Sequence, residues 1–574
     1  MPFPAMSVPD AYARICAPGA PFEWEITDIR GVPTRAYKNA PPSLAPIFAL
    51  SRMWGDLPYL VLEDERVSFR AHANAVARFA HVLRDEMGVK PGDRVAIVMR
   101  NLPEWPVAFF AATLIGAIAS PLNAWWTGPE LEYGLVDSGA RVLIADAERL
   151  ARLSEHLPAC KDLAHVVVAR AGDDLAPTVR RMEDLVGAPK SWADLPHTDL
   201  PDVALQPDDP CTLLYTSGTT GAPKGALGTH RNIATNLFNL MAAQARMFLR
   251  RGEAPPQPNP AEPRKATLIS IPFFHATGCF AVLIPALAAG TKIVMMRRWD
   301  AGEGLRLIEA EKINSFGGVP AIAWQVIEHP DFAKYDTSSV DMVSYGGAPS
   351  SSELVAAVVR AFPNVTPGQG YGLTETAAAV TSNGGEDYKL RPTSCGPAAP
   401  VNELRVVDPD GKDVPAGEVG ELWIKGPNTV VGYWNKPEAT EAAFENGWFK
   451  SGDLVRMDED GFVFIVDRAK DMINRGGETV YCVEVEDALY QHDAVTDAAV
   501  VGIPHKVLGE EVGAIVTVKP GSDVSEEELR RWVAARLAGF KVPVRIQIRS
   551  EPLPRNANGK ILKRDLREAF APAA

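Results

Sequence analysis

Residues 215–225 read Y-T-S-G-T-T-G-A-P-K-G, and this stretch decides how the rest of the chain is interpreted. It holds three glycines, four Ser/Thr hydroxyls and one lysine, and it directly follows the apolar pair Leu213 and Leu214. A strand that ends in such a loop presents backbone N–H groups, hydroxyls and an ammonium at one place, which suits a polyphosphate. The stretch therefore predicts a phosphate-binding loop at the end of a buried strand.

The loop differs from the Walker A pattern, in which the lysine lies in the first turn of a helix. Here Pro223 precedes Lys224 and Gly225 follows it, so the lysine is expected on an extended or turn segment. A P-loop NTPase is disfavoured.

Size and charge narrow the class of protein. The chain has 574 residues, which is too many for one core, and its net charge of −14 argues against a nucleic-acid partner. Its six scattered cysteines form no C-x-x-C pair and indicate reduced thiols. No signal peptide is expected at the N-terminus. These features predict a soluble, cytoplasmic enzyme.

Two uncharged stretches, residues 105–129 and 266–291, are long enough to cross a membrane as helices. Both contain prolines, and the apolar pattern of the first changes from helix-like to strand-like at Gly116. Each is better interpreted as a buried strand and helix, so no transmembrane segment is predicted.

Helix-like and strand-like segments alternate over residues 67–146 and again over 266–343, as in α/β domains with parallel sheets. A helix is expected over 74–87. From about residue 391 short strands and turns predict an antiparallel β subdomain. The last hundred or so residues predict a compact α+β domain, with a helix that begins after Ser525 and ends at Gly539. The expected fold is α/β: a large N-terminal domain of two α/β subdomains plus a small antiparallel β subdomain, followed by a small mobile α+β C-terminal domain.

Further short motifs follow the phosphate loop in one order. They are residues 272–278 (P-F-F-H-A-T-G), 345–349 (Y-G-G-A-P), 369–375 (Q-G-Y-G-L-T-E), 451–453 (S-G-D), 467–471 (D-R-A-K-D) and 554–560 (P-R-N-A-N-G-K). Together with the loop, this set resembles the adenylate-forming superfamily of acyl-CoA synthetases, luciferases and adenylation domains. The resemblance covers about residues 67–570.

The resemblance implies two half-reactions. A carboxylate attacks the α-phosphate of ATP and gives an acyl-adenylate and pyrophosphate, and coenzyme A then displaces AMP. It implies ATP, Mg²⁺ and coenzyme A as cofactors or co-substrates. It also implies an N-terminal domain over residues 1–466, a hinge over 467–470 and a C-terminal domain over 471–574.

The resemblance also implies the nucleotide site. The expected ATP- or AMP-binding residues are Thr216, Ser217, Gly218, Thr219, Thr220, Gly221, Lys224, Gly347, Ala348, Gln369, Gly370, Tyr371, Gly372, Thr374, Asp453, Arg468 and Lys560. Lys560, Thr374 and Glu375 would be catalytic, and Thr216 and Glu375 would bind the metal.

Each role has a physical basis and a simpler alternative. The Tyr371 ring suits adenine, although a tyrosine in a Gly-rich turn is often a core residue. Asp453 can accept both ribose hydroxyls, or it can simply form an Asx-turn. Arg468 would add a donor there, unless it only pairs with Asp467 at the surface. Lys560 is expected to meet the charge that develops between carboxylate and α-phosphate.

The acid and coenzyme A are assigned by the same resemblance. His275, Gly278, Val319 and Gly346 are expected to bind the acid, and Gly476 and Gly477 to face coenzyme A. Lys470 would be the hinge about which the C-terminal domain turns. His275 either shapes the acid channel or is a packed histidine, and the sequence leaves both interpretations open.

Adenylation domains that select α-amino acids have an aspartate just after the first aromatic residue of the 272–278 motif, where this chain has Phe274 and His275. An apolar fatty or aryl acid is therefore favoured. The alternatives are an acyl-AMP ligase that passes its product to a carrier protein and, from another class, a catalytically inactive nucleotide-binding paralogue. A homodimer is compatible with the sequence.

Overall fold

The structure is a computed structural model that describes residues 3–172, 174–216, 222–255, 264–346, 352–476, 478–519, 521–556 and 561–570. The strands in these ranges are β1 Trp24–Ile29, β2 Val32–Tyr37, β3 Pro58–Leu62, β4 Glu65–Ser68, β5 Arg94–Val98, β6 Ile118–Pro121, β7 Val142–Asp146, β8 His165–Ala169, β9 Val179–Arg181, β10 Pro210–Tyr215, β11 Gly225–Thr229, β12 Ala266–Ile269, β13 Lys292–Met295, β14 Ser315–Gly318, β15 Met342–Gly346, β16 Thr366–Tyr371, β17 Thr381–Gly384, β18 Glu403–Val407, β19 Val419–Lys425, β20 Phe444–Glu445, β21 Trp448–Met457, β22 Val463–Arg468, β23 Ile473–Arg475, β24 Glu478–Val480, β25 Val495–His505, β26 Gly509–Val518 and β27 Arg545–Arg549.

The α-helices in the same ranges are α1 Val8–Ile15, α2 Leu44–Ser51, α3 Phe69–His81, α4 Glu104–Thr113, α5 Gly128–Ser138, α6 Ala147–Leu153, α7 Met182–Val186, α8 His230–Arg250, α9 Ile284–Ala289, α10 Ala301–Glu311, α11 Pro320–Ile327, α12 Ser352–Ala361, α13 Glu386–Leu390, α14 Pro437–Ala443, α15 Cys482–Tyr490, α16 Glu526–Ala534 and α17 Lys563–Glu568. Short 3₁₀ or π turns extend some of them.

Two mixed sheets form the α/β part of the molecule. Within the described residues, the first has the strand order β11-β10-β6-β5-β7-β8-β9, and the second has the order β17-β16-β15-β14-β12-β13-β3-β4. Neighbouring strands are parallel except at the edges, where β11, β17 and β4 pair in the antiparallel direction. Buried apolar strands that alternate with helices account for this parallel pairing.

Two smaller sheets follow in sequence. Strands β18 to β22 form an antiparallel sheet, and strands β23 to β27 form a sheet in which only β27 pairs in parallel among the described strands. Helices α15 and α16 pack against the latter sheet and share its core. The predicted fold class is thus confirmed, with two α/β subdomains, an antiparallel β subdomain and an α+β C-terminal part.

Two predicted helix limits were wrong. The helix expected from residue 74 begins at Phe69, where the side chain of Ser68 accepts a hydrogen bond from the backbone N–H of Ala71, and it continues as a π turn to Glu86. The helix expected to end at Gly539 ends at Ala534. The N–H groups of Arg536 and Leu537 both bond to the carbonyl of Val533, which tightens and closes the last turn.

The two uncharged stretches are divided between elements, as expected. Residues 105–129 contribute to α4, β6 and the start of α5, and residues 266–291 contribute to β12, a π turn and α9. Among the described residues, no helix combines the length and the apolar character needed to cross a membrane.

A buried histidine in the core should make stability depend on pH. His72 lies among the rings of Phe48, Tyr59 and Phe110, and neither ring nitrogen has a hydrogen-bond partner among the described residues. Burial lowers the pKa of His72 from 6.5 to about 3. The unfolded chain therefore takes up a proton near pH 6.5 that the folded chain excludes, so stability falls as pH drops through the window between the two values.

We expect this site to lower the free energy of unfolding by about 2 kcal/mol between pH 7 and pH 5. In the His72→Leu variant that contribution should disappear, so its stability should depend less steeply on pH. Denaturant titrations of both proteins at the two pH values measure the difference. His230 and His275 are also held neutral by burial, so only the comparison with the variant isolates His72. An unchanged pH dependence would contradict the assignment.

Candidate active site

The base of the phosphate loop is closed by two antiparallel strands. Strand β10 ends at Tyr215, β11 begins at Gly225, and these two residues are paired. The backbone N–H of Thr216 donates to the carbonyl of Lys224 over 2.9 Å. The two ends of the loop are therefore held together. Ser217, Gly218, Thr219, Thr220 and Gly221 lie outside the described residues.

Helix α5 braces both limbs of this loop. The Tyr215 hydroxyl donates to Asp137 over 2.8 Å, and the Tyr133 hydroxyl donates to the carbonyl of Pro223, also over 2.8 Å. The ammonium of Lys436 lies 3.2 Å from Asp137, whose side chain is only 8% exposed. The limb that carries Lys224 is thus anchored to a helix that no motif marked.

Tyr433 is a site residue that the sequence reasoning missed. Its ring lies under the ammonium of Lys224, 4.9 Å from the ring centroid, and its hydroxyl donates to Oε1 of Glu375 over 2.7 Å. Its only local sequence signal is a Gly-Tyr pair at 432–433 in an uncharged stretch, which is too common to single out.

Glu375 is a buried carboxylate on a short 3₁₀ turn, Thr374–Thr376. The turn is followed by Ala377 and Ala378, which both have positive φ, a conformation that L-residues seldom adopt. Burial raises the pKa of Glu375, and the Tyr433 hydrogen bond and the nearby Arg468 oppose that rise. Because the Glu375 carboxylate is buried, it has lost contacts with water. A bound cation could take the place of those contacts.

The donor set fits Mg²⁺ that is shared with a polyphosphate. Among the described residues no group of three or more His, Cys, Asp or Glu side chains could hold a metal ion by itself. Mg²⁺ is commonly held by one or two carboxylates together with substrate phosphates, so the single carboxylate of Glu375 suits that arrangement. Thr216, the other predicted metal ligand, lies at the start of the phosphate loop.

Tyr371, Asp453 and Arg468 form one connected group. The Tyr371 hydroxyl donates to Oδ2 of Asp453 over 2.7 Å, and Nε of Arg468 lies 3.1 Å from Oδ1 of the same carboxylate. Asp453 is buried, and strand pairing places it opposite Arg468. Asp467 does not use Arg468 as a surface ion pair; its carboxylate accepts from the backbone N–H groups of Arg468 and Cys482.

Close backbone approach explains the glycines around Tyr371. Gly346 is paired with Gly370 across β15 and β16, and a Cβ on Gly346 would lie 2.8 Å from the Gly370 carbonyl oxygen. A Cβ on Gly372 would collide with the carbonyl of Ala378. Gln369, the residue before Gly370, is buried as well, and its side-chain oxygen Oε1 accepts a hydrogen bond from the Tyr388 hydroxyl over 2.7 Å. Gly347 and Ala348 lie outside the described residues.

A cavity of about 690 Å³ shares no lining residue with the Tyr371–Asp453–Arg468 group, and of the predicted site residues that the structure describes only Val319 lines it. Segments that directly follow strands of both α/β sheets line it, and its walls include Arg100, Trp125, Phe274, Val319 and Trp324. The far wall comes from the C-terminal part, through residues that include Arg555 and Asn556. The cavity therefore lies between the α/β sheets and the segment that leads to Lys560, which itself lies outside the described residues.

His275 is neutral in this environment. Its Nε2 is buried without a hydrogen-bond partner among the described residues, and burial lowers the pKa of the ring to about 3. The ring packs against Phe274, with 4.6 Å between centroids. Three residues on, Gly278 approaches Pro272 so closely that a Cβ would lie 2.1 Å from the Pro272 carbonyl oxygen.

The remaining predicted residues lie near the C-terminal sheet. Lys470 is an exposed residue, and partial desolvation of its ammonium together with the charge of Arg468 lowers its pKa. Gly476 has a φ of +62° in the turn between β23 and β24, and its N–H donates to the carbonyl of Leu508. Gly477 lies outside the described residues. No hydrogen bond among the described residues joins Gly476 to the Tyr371–Asp453–Arg468 group.

Comparison with known proteins shows the family of the chain. The family model for AMP-binding enzymes matches residues 49–434, and the model for the AMP-binding enzyme C-terminal domain matches residues 484–560. The chain is 36% identical over 496 residues to a feruloyl-CoA synthase of Amycolatopsis sp, covering 86% of this chain and 92% of that protein. It is 33% identical over 540 residues to a long-chain-fatty-acid–CoA ligase of Yersinia pestis, covering 90% and 92%.

A solved structure shares the fold. The crystal structure of the anthranilate CoA ligase AuaEII in complex with anthranoyl-AMP matches with a TM-score of 0.81 and 28% identity, covering 92% of this chain and 98% of that one. The chain belongs to the AMP-binding enzyme family.

Proposed function

We propose that the site converts an apolar fatty or aryl acid to its coenzyme A thioester through an acyl-adenylate. The chain is an ATP-dependent, AMP-forming acid–CoA ligase. The observation that carries the assignment of the site is the group formed by Tyr371, Asp453 and Arg468, which brings three ordered motifs into contact. No local pattern would produce that contact by itself.

In the first half-reaction a carboxylate oxygen bonds to the α-phosphorus of ATP, and pyrophosphate leaves with the electron pair of the broken P–O bond. Tyr371 presents its ring to adenine, while Asp453 accepts from the ribose hydroxyls and Arg468 holds that carboxylate in place. Lys224 and the phosphate loop hold the departing β- and γ-phosphates. Thr374 donates to the α-phosphate.

Glu375 and Thr216 would hold Mg²⁺, which neutralises phosphate charge as pyrophosphate departs. Lys560 meets the negative charge that develops between the acid and the α-phosphate. The presence of Arg555 and Asn556 in the cavity wall supports this role, because Lys560 follows them closely in sequence.

In the second half-reaction the thiol sulfur bonds to the acyl carbon, AMP leaves and the thiol proton passes to solvent. Lys470 is the proposed pivot, and Gly476 and Gly477 are proposed to meet the pantetheine. The domain limits 1–466, 467–470 and 471–574 belong to this proposal, as do a cytoplasmic location and a homodimer.

The cavity supports an apolar acid. Its wall carries Trp125, Phe274, Trp299 and Trp324, and indole rings suit aryl groups as well as alkyl chains. We place His275, Gly278, Val319 and Gly346 around the reacting end of the acid. The feruloyl-CoA synthase and the long-chain-fatty-acid–CoA ligase among the relatives support the two acid classes.

The function is tested by pyrophosphate release over a panel of fatty and aryl acids, with and without coenzyme A. We expect acid-dependent release, and accumulation of the acyl-CoA when coenzyme A is present. Release with no thioester formed from free coenzyme A would instead favour an acyl-AMP ligase that serves a carrier protein. If no acid supports release, the chain is an inactive paralogue.

Lys560→Ala should lower acid-dependent pyrophosphate release by roughly 100- to 1000-fold, the range seen when one donor to a developing negative charge is removed. ATP binding, measured by calorimetry, should remain largely unchanged because the phosphate loop and the Asp453 group are intact. Wild-type release in this variant would refute the role of Lys560.

Lys470→Pro should separate the two half-reactions. Proline fixes φ at about −65° and removes a backbone donor, so it should block a pivot at this residue. We expect adenylation to persist and thioester formation from the preformed acyl-adenylate to be lost, as measured in single-turnover assays of each step. Lys470→Ala, which leaves the backbone free to turn, is the matched control. Equal loss of both steps in the proline variant would contradict the pivot.

A further inference from the structure

We propose that Tyr433 is a positioning residue of the nucleotide site, which holds Lys224 with its ring and Glu375 with its hydroxyl. The inference rests on the proposed function, in which Lys224 binds the departing phosphates and Glu375 binds Mg²⁺. Tyr433 lies outside every motif that marked the site, and its effect would reach the substrate only through these two side chains.

The backbone around Tyr433 is fixed against the strand that leaves the phosphate loop. Tyr433 bridges to Ala226 of β11. The N–H of Leu227 donates to the carbonyl of Gly432, and the N–H of Trp434 donates to the carbonyl of Gly225. The main chain of Tyr433 is therefore held by pairing with Ala226, two residues after Lys224, and its ring also packs against the ring of Phe444, with 6.0 Å between centroids.

The ring restrains the Lys224 side chain. Lysine has a flexible four-carbon stem, and an ammonium over the face of an aromatic ring is attracted by the negative face of that ring. The distance of 4.9 Å from Nζ to the ring centroid is within the range of that interaction. The contact limits the conformations open to Lys224 before any phosphate arrives, which reduces the ordering cost of binding.

The hydroxyl restrains Glu375 at the same time. It donates to Oε1 over 2.7 Å, and the backbone N–H of Val430, three residues earlier, donates to the carbonyl of Glu375 over 2.9 Å. One segment therefore holds both the carboxylate and the main chain of Glu375. The Tyr433 hydroxyl, a neutral donor, thus orients one carboxylate oxygen of Glu375. Residues that hydrogen-bond to a metal ligand commonly orient that ligand in this way.

Two substitutions separate the two contacts. Tyr433→Phe keeps the ring under Lys224 and removes the hydroxyl, whereas Tyr433→Leu removes both. The readout is the dissociation constant of a non-hydrolysable ATP analogue, measured by calorimetry in EDTA and again in Mg²⁺. This readout needs no turnover.

For Tyr433→Phe we expect metal-free binding like that of the wild type, but a gain in affinity from Mg²⁺ that is smaller by roughly 10-fold, because a hydrogen bond to a charged group is lost. For Tyr433→Leu we expect metal-free binding that is also weaker, by roughly 3- to 10-fold, because the cation–π contact is lost. Tyr37→Phe is the matched control, since it removes a buried hydroxyl that donates to Asn239 and touches no site residue named here.

Three results would overturn the inference: full Mg²⁺ enhancement in Tyr433→Phe, wild-type metal-free binding in Tyr433→Leu, or an equal loss in Tyr37→Phe. If Tyr433→Leu does not fold, as judged by its thermal transition, the Phe variant decides alone. Lys224→Ala and Glu375→Gln are measured in parallel. They show whether a negative result concerns Tyr433 alone or also the proposed roles of Lys224 and Glu375. If neither changes binding, the proposed roles of Lys224 and Glu375 fail, and the role of Tyr433 fails with them.

Discussion

The buried carboxylate of Asp453 is the contact on which the arrangement of the site depends. It accepts the Tyr371 hydroxyl from the second α/β sheet and pairs with Arg468 from the last strand before the C-terminal sheet. The carboxylate is buried while the Arg468 side chain is about one-third exposed (34%), so solvent partly screens the ion pair and the Tyr371 hydroxyl is the buried partner. Asp453 lies on β21 and Arg468 on the neighbouring strand β22 of the antiparallel sheet, so the carboxylate joins that sheet to the second α/β sheet.

The parallel sheets explain why the motifs converge at all. Strands β10, β14, β15 and β16 end at Tyr215, Gly318, Gly346 and Tyr371, and a predicted site segment follows each one. In open α/β sheets the crevice outside the carboxyl ends of the strands is the usual ligand site, because loops from different strands meet there. The cavity is lined by segments after strands of both sheets, so the two carboxyl edges share one cleft. The antiparallel edge strand β11 adds the return limb of the phosphate loop, and Tyr433 pairs with that limb.

The sequence predicted the fold class and those candidate site residues that belong to short motifs. The motif resemblance indicated Gly346, Gly372 and Asp453, and close backbone approach explains why glycine stands at the first two positions. Tyr433 could not be recognised in this way, since its role depends on pairing with Ala226, more than two hundred residues away. The start of α3 was misplaced as well. That helix begins at the Ser68 cap, whose side chain accepts from the backbone N–H of Ala71, and the apolar pattern alone did not reveal this start.

The position of the proposed pivot determines which contacts a change of orientation would keep. Arg468 precedes Lys470, and its partner Asp453 lies on the same side, so a turn at Lys470 leaves their pair intact. Asp467 also precedes the pivot, but it accepts a hydrogen bond from the backbone N–H of Cys482, which follows it. Burial raises the pKa of Asp467 to about 6, so the turn would exchange the Cys482 donor for contact with solvent at this carboxylate. The contacts among Tyr371, Asp453 and Arg468 would thus survive the turn, whereas the Asp467–Cys482 bond and the Arg555 wall of the cavity would not.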